Sequence, residues 1–112
     1  MKKYKIIKDS SIFENVINNG IILKNNYFNI FYMPNNLNKP LYGFAVGKKI
    51  GNAVCRNKNK RQIKAIVDEY EYLFSKPYYY IIMLKKDINN LSFEEKKEKI
   101  LNLIQKGDQY EK

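Results

Sequence analysis

Apolar positions along the chain follow two spacings, and the spacings separate predicted helices from predicted strands. Residues 12–17 place four apolar side chains at helical intervals. Ser11 with Glu14 fits the capping box that begins a helix, and Gly20 fits a helix stop. The pattern therefore predicts a short amino-terminal helix.

Three segments have the composition and pattern of strands: 27–33 (YFNIFYM), 41–47 (LYGFAVG) and 78–84 (YYYIIML). The third is apolar throughout, which is typical of a strand buried on both faces. A further short strand is possible at 21–23.

Two more helices complete the predicted elements. A long helix is expected from about Asn52 to Phe74. Ser92 and Glu95 form a second capping box, which predicts a last helix that ends near Lys106 with Gly107 as its stop.

The predicted order is α-β-β-(β)-α-β-α, where the bracketed strand is the optional short one. Strands and helices mixed around one core predict an α+β fold, which we expect to be a two-layer α/β sandwich. A length of 112 residues favours a single domain over residues 1–112.

The charge balance predicts the kind of partner. Twenty-one Lys and Arg against eleven Asp and Glu give a formal charge of +10. This favours a polyanion, with nucleic acid first and an anionic membrane surface second. The sixteen Tyr and Phe residues suit base stacking as well as core packing. We expect a cytoplasmic protein, because the sequence contains neither a signal-peptide pattern nor a run of about 18 apolar residues.

The apolar stripe of the predicted long helix covers only its second half. At 100° per residue the stripe comprises Ile63, Ile66, Val67, Tyr70, Leu73 and Phe74. Extended toward the amino end, the same face meets Asn59, Arg56 and Asn52. Since burial of an unpaired guanidinium is costly, we expect the first two turns to overhang the core or line a cleft.

Positive charge concentrates on those first turns. Arg56, Lys60 and Lys64 form one row at four-residue spacing, flanked by Asn57 and Arg61. Lys48 and Lys49 precede the helix, and free amides near Gly51 and Asn52 also attract anions. This end of the helix is therefore predicted to meet phosphates, although a solvated basic face is the alternative.

The strands give a second hint. Alternation places Tyr27, Asn29, Phe31 and Met33 on one face, a mixture that suits a wet stacking surface. In the next strand, the face with Gly43, Ala45 and Gly47 is unusually small. Such a face permits close approach either by a ligand or by a packed helix, and both remain open.

The run GFAVGKKIGNAVCRNKNKRQIK, residues 43–64, resembles the signature of the bacterial ribonuclease P protein subunit. The matching steps are Gly47-Lys48-Lys49, Gly51-Asn52-Ala53-Val54, Arg56-Asn57-Lys58 and Lys60-Arg61. The early segment FENVINNG also resembles that family's first helix, so the resemblance extends over nearly the whole chain.

The resemblance implies an accessory role in a ribonucleoprotein enzyme. In the family, the RNA subunit performs Mg²⁺-dependent hydrolysis that removes the 5′ leader of precursor tRNA, with the Mg²⁺ held mainly by RNA and substrate. The implied partners are therefore ribonuclease P RNA and precursor tRNA, with no membrane and no small-molecule substrate. The resemblance also implies a left-handed β-α-β crossover, against the general rule.

Site residues follow from the same resemblance. Those implied to bind the catalytic RNA are Lys48, Lys49, Asn52, Arg56, Asn57, Lys58, Lys60, Arg61 and Lys64. Those implied to line the cleft for the leader are Phe13, Ile17, Phe31 and Ala45. Phe31 belongs to the mixed strand face identified above by alternation.

Four positions depart from the family pattern. Lys58 replaces an Arg, which keeps the charge but not the planar donor geometry. Ile17 stands where an aromatic residue is frequent, Asn59 where an apolar one is common, and Gly47 where Ser is usual.

Protein-based catalysis is not expected. The sequence has no His, its acids are scattered, and Cys55 has no His partner. We therefore expect no catalytic and no metal-binding residue. The main alternative function is a general RNA-binding or ribosomal structural protein. A membrane-surface module is disfavoured because the basic helix end lacks a broad apolar face.

Overall fold

The computed structural model describes residues 5–110, with side chains described as far as Gly107. The helices are α1 (Ser10–Asn19), α2 (Ala53–Glu69) and α3 (Phe93–Tyr110). The strands are β1 (Ile21–Lys24), β2 (Phe28–Pro34), β3 (Leu41–Ala45) and β4 (Tyr78–Leu84). The predicted elements and their order are confirmed. The optional short strand predicted at 21–23 is β1, the first strand along the chain.

One sheet with the strand order β1-β2-β4-β3 organises the molecule. The apolar β4 lies inside it, antiparallel to β2 and parallel to β3. The parallel pair is connected through α2, so β3, α2 and β4 form the β-α-β unit that the resemblance implies. The hand of this crossover stays a prediction.

Helices cover both faces of the sheet. Phe28, Ile30 and Tyr32 of β2 belong to the larger core, together with buried residues of α2 and α3. Phe31 and the neighbouring Ile81 belong to a smaller core under α1. The α+β class is confirmed, and α1 adds a helical cover on the face opposite α2 and α3.

The end of α2 comes earlier than the periodicity predicted. The helix ends at Glu69, and a 3₁₀ turn follows over Glu71–Leu73. Phe74 is buried nevertheless, and its carbonyl accepts a hydrogen bond of 2.7 Å from the hydroxyl of Tyr42 in β3. Burial, with smaller contributions from nearby carboxylates, raises the pKa of Tyr42 to about 12. Tertiary contacts therefore place Phe74 without a continuous helix.

Two predicted helix ends were wrong. Asp9, not Ser11, caps α1, because its carboxylate accepts hydrogen bonds from the amides of Ser11 and Ile12. At the other end of the chain, α3 continues past Gly107 to Tyr110. Gly107 is buried against Leu23 of β1, so it serves close packing inside the helix. The capping box of Ser92 and Glu95 is confirmed.

Gly20 joins α1 to β1 where two backbone segments approach closely. A Cβ atom there would lie 2.5 Å from the carbonyl oxygen of Val16 and 2.9 Å from that of Tyr32. We expect Gly20→Ala to lower the free energy of unfolding by about 1–3 kcal/mol, because backbone atoms would have to move. Urea denaturation measures this loss. Gly47→Ala is the matched control, since nothing lies within 4 Å of the position that its methyl group would take; equal stability of the two variants would contradict the packing.

Candidate nucleic-acid interface

The entry into α2 brings the predicted docking residues together. Lys48 and Lys49 lie in the 3₁₀ turn Lys48–Ile50, directly before the helix. Gly51 follows this turn with a φ of 147°, a backbone conformation that favours glycine. Asn52 caps α2, since its side-chain oxygen accepts a 2.9 Å hydrogen bond from the amide of Cys55.

The next turns present cations along one side of α2. Arg56 is half-buried, Lys60 is exposed, and Lys64 places its ammonium 5.9 Å from the centre of the Phe44 ring. Asn57 and Arg61 are exposed beside this row. We call this surface the cationic edge. It comprises Lys48, Lys49, Asn52, Arg56, Asn57, Lys60, Arg61 and Lys64.

Lys58 lies on the other flank of the helix. A step of 100° per residue turns it away from Lys60, toward the side where α3 packs. Its charge accordingly acts on Lys96 of α3. The basic motif is thus divided between two flanks, which linear sequence does not reveal.

Among the described residues, no ion pair joins an acidic side chain to the cationic edge. Ion pairs join Lys5 to Glu71 and Lys97 to Glu69 and Glu94, all away from this surface. The first turn of α2 also contains no acid. The positive potential of the edge therefore remains available to an external anion.

A buried polar network, which the sequence pattern did not predict, lies beneath the edge. Asn59 is only 2% exposed and Lys96 only 5%. The Lys96 ammonium donates hydrogen bonds to the side-chain oxygens of Asn59 (3.0 Å) and Gln62 (2.6 Å). Asn59 at a core-facing position was the available signal, because a buried amide requires a partner. The second turn of α2 therefore packs on polar groups at Asn59, whereas the sequence pattern predicted that the first two turns overhang the core or line a cleft.

The proposed leader cleft is only partly open. Phe31 is 7% exposed under α1, so the mixed face of β2 is not the wet surface predicted from alternation. Phe13 and Ile17 of α1 are half-buried against the same small core. α1 covers this part of the face, because its apolar side chains pack against Phe31 and remove it from solvent.

The small-residue face of β3 has two different roles. A Cβ on Gly43 would lie 2.7 Å from the Phe13 ring, so helix packing accounts for that glycine. Ala45, one pleat further, is half-buried beside Met83 of β4. On the other side of β4, Met83 pairs with Asn29 of β2. The side-chain oxygen of Asn29 is buried without a hydrogen-bond partner among the described residues.

A groove at the carboxyl ends of β3 and β4 joins the cleft to the cationic edge. Ala45 and Met83 line it on the sheet side, and Lys48 and Lys49 line it on the side of the edge. The groove thus has an apolar floor and a basic wall, which suits an anionic chain bearing aromatic bases.

The described part of the chain contains no group of three or more His, Cys, Asp or Glu side chains placed to hold a metal ion. It also contains no helix long and apolar enough to cross a bilayer.

Comparison with known proteins gives a consistent result. Residues 1–108 match the protein-family model described as Ribonuclease P. The ribonuclease P protein component of Bacillus velezensis is 37% identical over 113 residues, covering 100% of this chain and 97% of that protein. That of Mesoplasma florum is 35% identical over 105 residues, covering 93% and 96%.

Solved structures show the same fold. The RNase P protein from Thermotoga maritima superimposes with a TM-score of 0.81 at 25% identity, covering 90% of this chain and 96% of that one. The Staphylococcus aureus RNase P protein gives a TM-score of 0.85 at 21% identity, covering 92% and 94%.

The buried ammonium of Lys96 predicts a pH dependence of stability. Burial lowers the pKa of Lys96, the charge of Lys58 lowers it further, and Cys55 acts in the opposite direction. The unfolded chain then binds more protons than the folded chain between the lowered pKa and the ordinary 10.5. The unfolding free energy of the wild type should therefore rise, relative to Lys96→Met, as pH increases from neutral toward 10.5.

Urea denaturation of both proteins across this range measures the difference. The variant serves as the control for all other titrating groups, which the two proteins share. A difference that does not change with pH would show that the folded environment leaves the lysine unperturbed.

Proposed function

Because the chain belongs to the ribonuclease P protein family and is thus a subunit of an endoribonuclease holoenzyme with an RNA partner, we propose that its cationic edge binds the RNA subunit. We also propose that the cleft beside α1 holds the 5′ leader of precursor tRNA. The observation that supports this most directly is the cationic edge itself, where six Lys and Arg side chains and two Asn share a surface with no ion-paired acid among the described residues.

Binding through the edge is driven by the release of counterions from RNA phosphates. Arg56, Lys60 and Lys64 lie in one row and follow a backbone, while Lys48 and Lys49 extend the contact past the start of α2. The two arginines of the edge supply planar paired donors that suit phosphate oxygens. Asn57, which lies between these arginines in the sequence, is both donor and acceptor. Lys58 contacts RNA from the other flank of the helix.

The leader follows the apolar floor of the cleft. The half-buried Phe13 and Ile17 offer the exposed parts of their side chains, Phe31 supports them from the core, and Ala45 leaves room for a nucleotide beside Met83. The leader phosphates lie near the two lysines of the 3₁₀ turn, where the groove meets the cationic edge. A single strand is favoured over a duplex, because only unpaired bases can stack on such a floor.

Chemistry in this proposal belongs to the RNA subunit, which holds Mg²⁺ together with the substrate and hydrolyses the phosphodiester. The protein binds, orients and neutralises charge. We place this activity in the cytoplasm, where tRNA maturation supplies the substrate.

A general RNA-binding role is the second candidate, since charge and size alone suit it equally. The two are separated by affinity for tRNA with and without a 5′ leader, measured with the RNA subunit present. Preference for the precursor supports the proposal. Equal affinity for both tRNA forms would leave only general RNA binding.

The row of cations on α2 predicts a change in salt dependence. Arg56→Ala and Lys60→Ala should each weaken binding to the RNA subunit, and each should reduce the slope of log affinity against log salt by roughly 0.7–0.9. Filter binding across a salt series measures both quantities. Lys106→Ala, an exposed lysine of α3, is the control for net charge. A slope that matches this control would remove the two side chains from the interface.

The open part of the cleft predicts a selective effect on leader binding. Ala45→Leu should fill the floor beside Met83 and reduce the preference for precursor over mature tRNA by several-fold, roughly 1 kcal/mol. Affinity for the RNA subunit should stay unchanged. Ala65→Leu places the same substitution on the exposed side of α2 and is the matched control. Fluorescence anisotropy measures the two affinities. An unchanged preference for precursor over mature tRNA in Ala45→Leu would argue against a leader at this position.

A further inference from the structure

The first turns of α2 have an unusual anchor. The buried residues of this helix are Asn59, Ile63, Ile66 and Val67. The apolar three lie in the second half, so Asn59 is the buried side chain of the turns that carry Arg56 and Lys60. The position of those turns against the fold therefore depends largely on the hydrogen bonds of this amide, beside which the half-buried Cys55 packs against the larger core.

The hydrogen bonds of Asn59 continue in both directions. On one side its oxygen accepts from the Lys96 ammonium of α3, at 3.0 Å. On the other side its amide nitrogen donates to the side-chain oxygen of Asn89, at 3.1 Å. Asn89 in turn donates to the carbonyl of Ile50, at 2.6 Å. Ile50 ends the 3₁₀ turn that carries the two lysines before α2.

One connected network thus spans both segments that supply the cationic edge. We propose that Lys96 and Asn59 are positioning residues for RNA binding, because their hydrogen bonds hold the first turns of α2 and the turn Lys48–Ile50 in one arrangement. The inference rests on the proposed function of the edge and adds to it two residues that do not touch the RNA.

Electrostatics explains why such an anchor is needed. The segment from Lys48 to Lys64 contains no acid, so its cations repel one another in the free protein. Lys96 adds a further positive charge close to Lys58. An apolar contact would allow these turns to shift, whereas hydrogen bonds fix direction as well as distance.

Lys96 is held by neutral oxygens only. Its ammonium contacts Asn59 and Gln62, and none of the ion pairs among the described residues includes it. Removal of this donor leaves the Asn59 oxygen buried without a partner, which loosens the network at its centre. Replacement of Asn59 by an apolar residue breaks the same network from its other side, because the hydrogen bond to Asn89 is lost as well.

The test uses the full chain and its RNA subunit, with affinity measured at a temperature where circular dichroism shows every variant fully folded. Lys96→Met should weaken RNA binding about tenfold, a size typical of coupled neighbouring residues. Lys106→Met makes the same charge change at an exposed position of α3 and should have little effect. The salt slopes of the two variants should agree, because Lys96 reaches no phosphate.

The double variant Asn59→Leu/Lys96→Met, compared with the single variants Asn59→Leu and Lys96→Met, tests whether the two residues act together. It should bind the RNA subunit about as weakly as Lys96→Met alone, because both substitutions break the same network. A purely structural role would change the melting temperature of Lys96→Met and leave the affinity of the folded protein intact.

Three outcomes would overturn the inference: Lys96→Met binding like Lys106→Met, a salt slope lower in Lys96→Met than in Lys106→Met, or a double variant whose loss of binding free energy equals the sum of the two single losses. These outcomes are distinct from failure of the proposed function. In that case the wild type itself would not bind the RNA subunit, or Arg56→Ala would leave the salt slope unchanged.

Discussion

The packing of α2 across the sheet is the interaction on which the remaining structure depends. Ile63, Ile66 and Val67 are fully buried in the larger core, together with residues of the sheet and of α3, and this burial fixes the direction of the whole helix. The first two turns then project toward the carboxyl ends of β3 and β4. A structural half and a charged half are thus joined in one rigid element, so the cationic edge inherits its position from the core.

The same constraint organises the concave side. α1 covers Phe31 because the sheet face opposite α2 would otherwise expose apolar surface, and Gly43 lets the Phe13 ring approach closely. What α1 leaves open is the row near Ala45, at the strand ends where α2 begins. The cleft and the edge are therefore neighbours as a consequence of the β3-α2-β4 connection.

Much of this organisation could be predicted from sequence. The strand β4 has the predicted bounds of 78–84, and the apolar stripe of α2 identified its three buried aliphatic residues. The features that hydrophobic periodicity did not predict depend on tertiary contacts. Tyr42 holds Phe74 beyond the end of the helix, and β1 packs on Gly107, which a local rule assigns to a helix stop. The partner of Asn59 was beyond reach, because Lys96 lies thirty-seven positions away and looks like an ordinary surface lysine.

The central claim is that this protein assists an RNA catalyst and does not catalyse the reaction itself. The most direct measurement is the rate of leader removal from precursor tRNA at low Mg²⁺, with the cognate RNA subunit alone, the protein alone, and both together. The account predicts faster cleavage with both than with RNA alone, and none with the protein alone. A rate with both components equal to that of the RNA alone would contradict it.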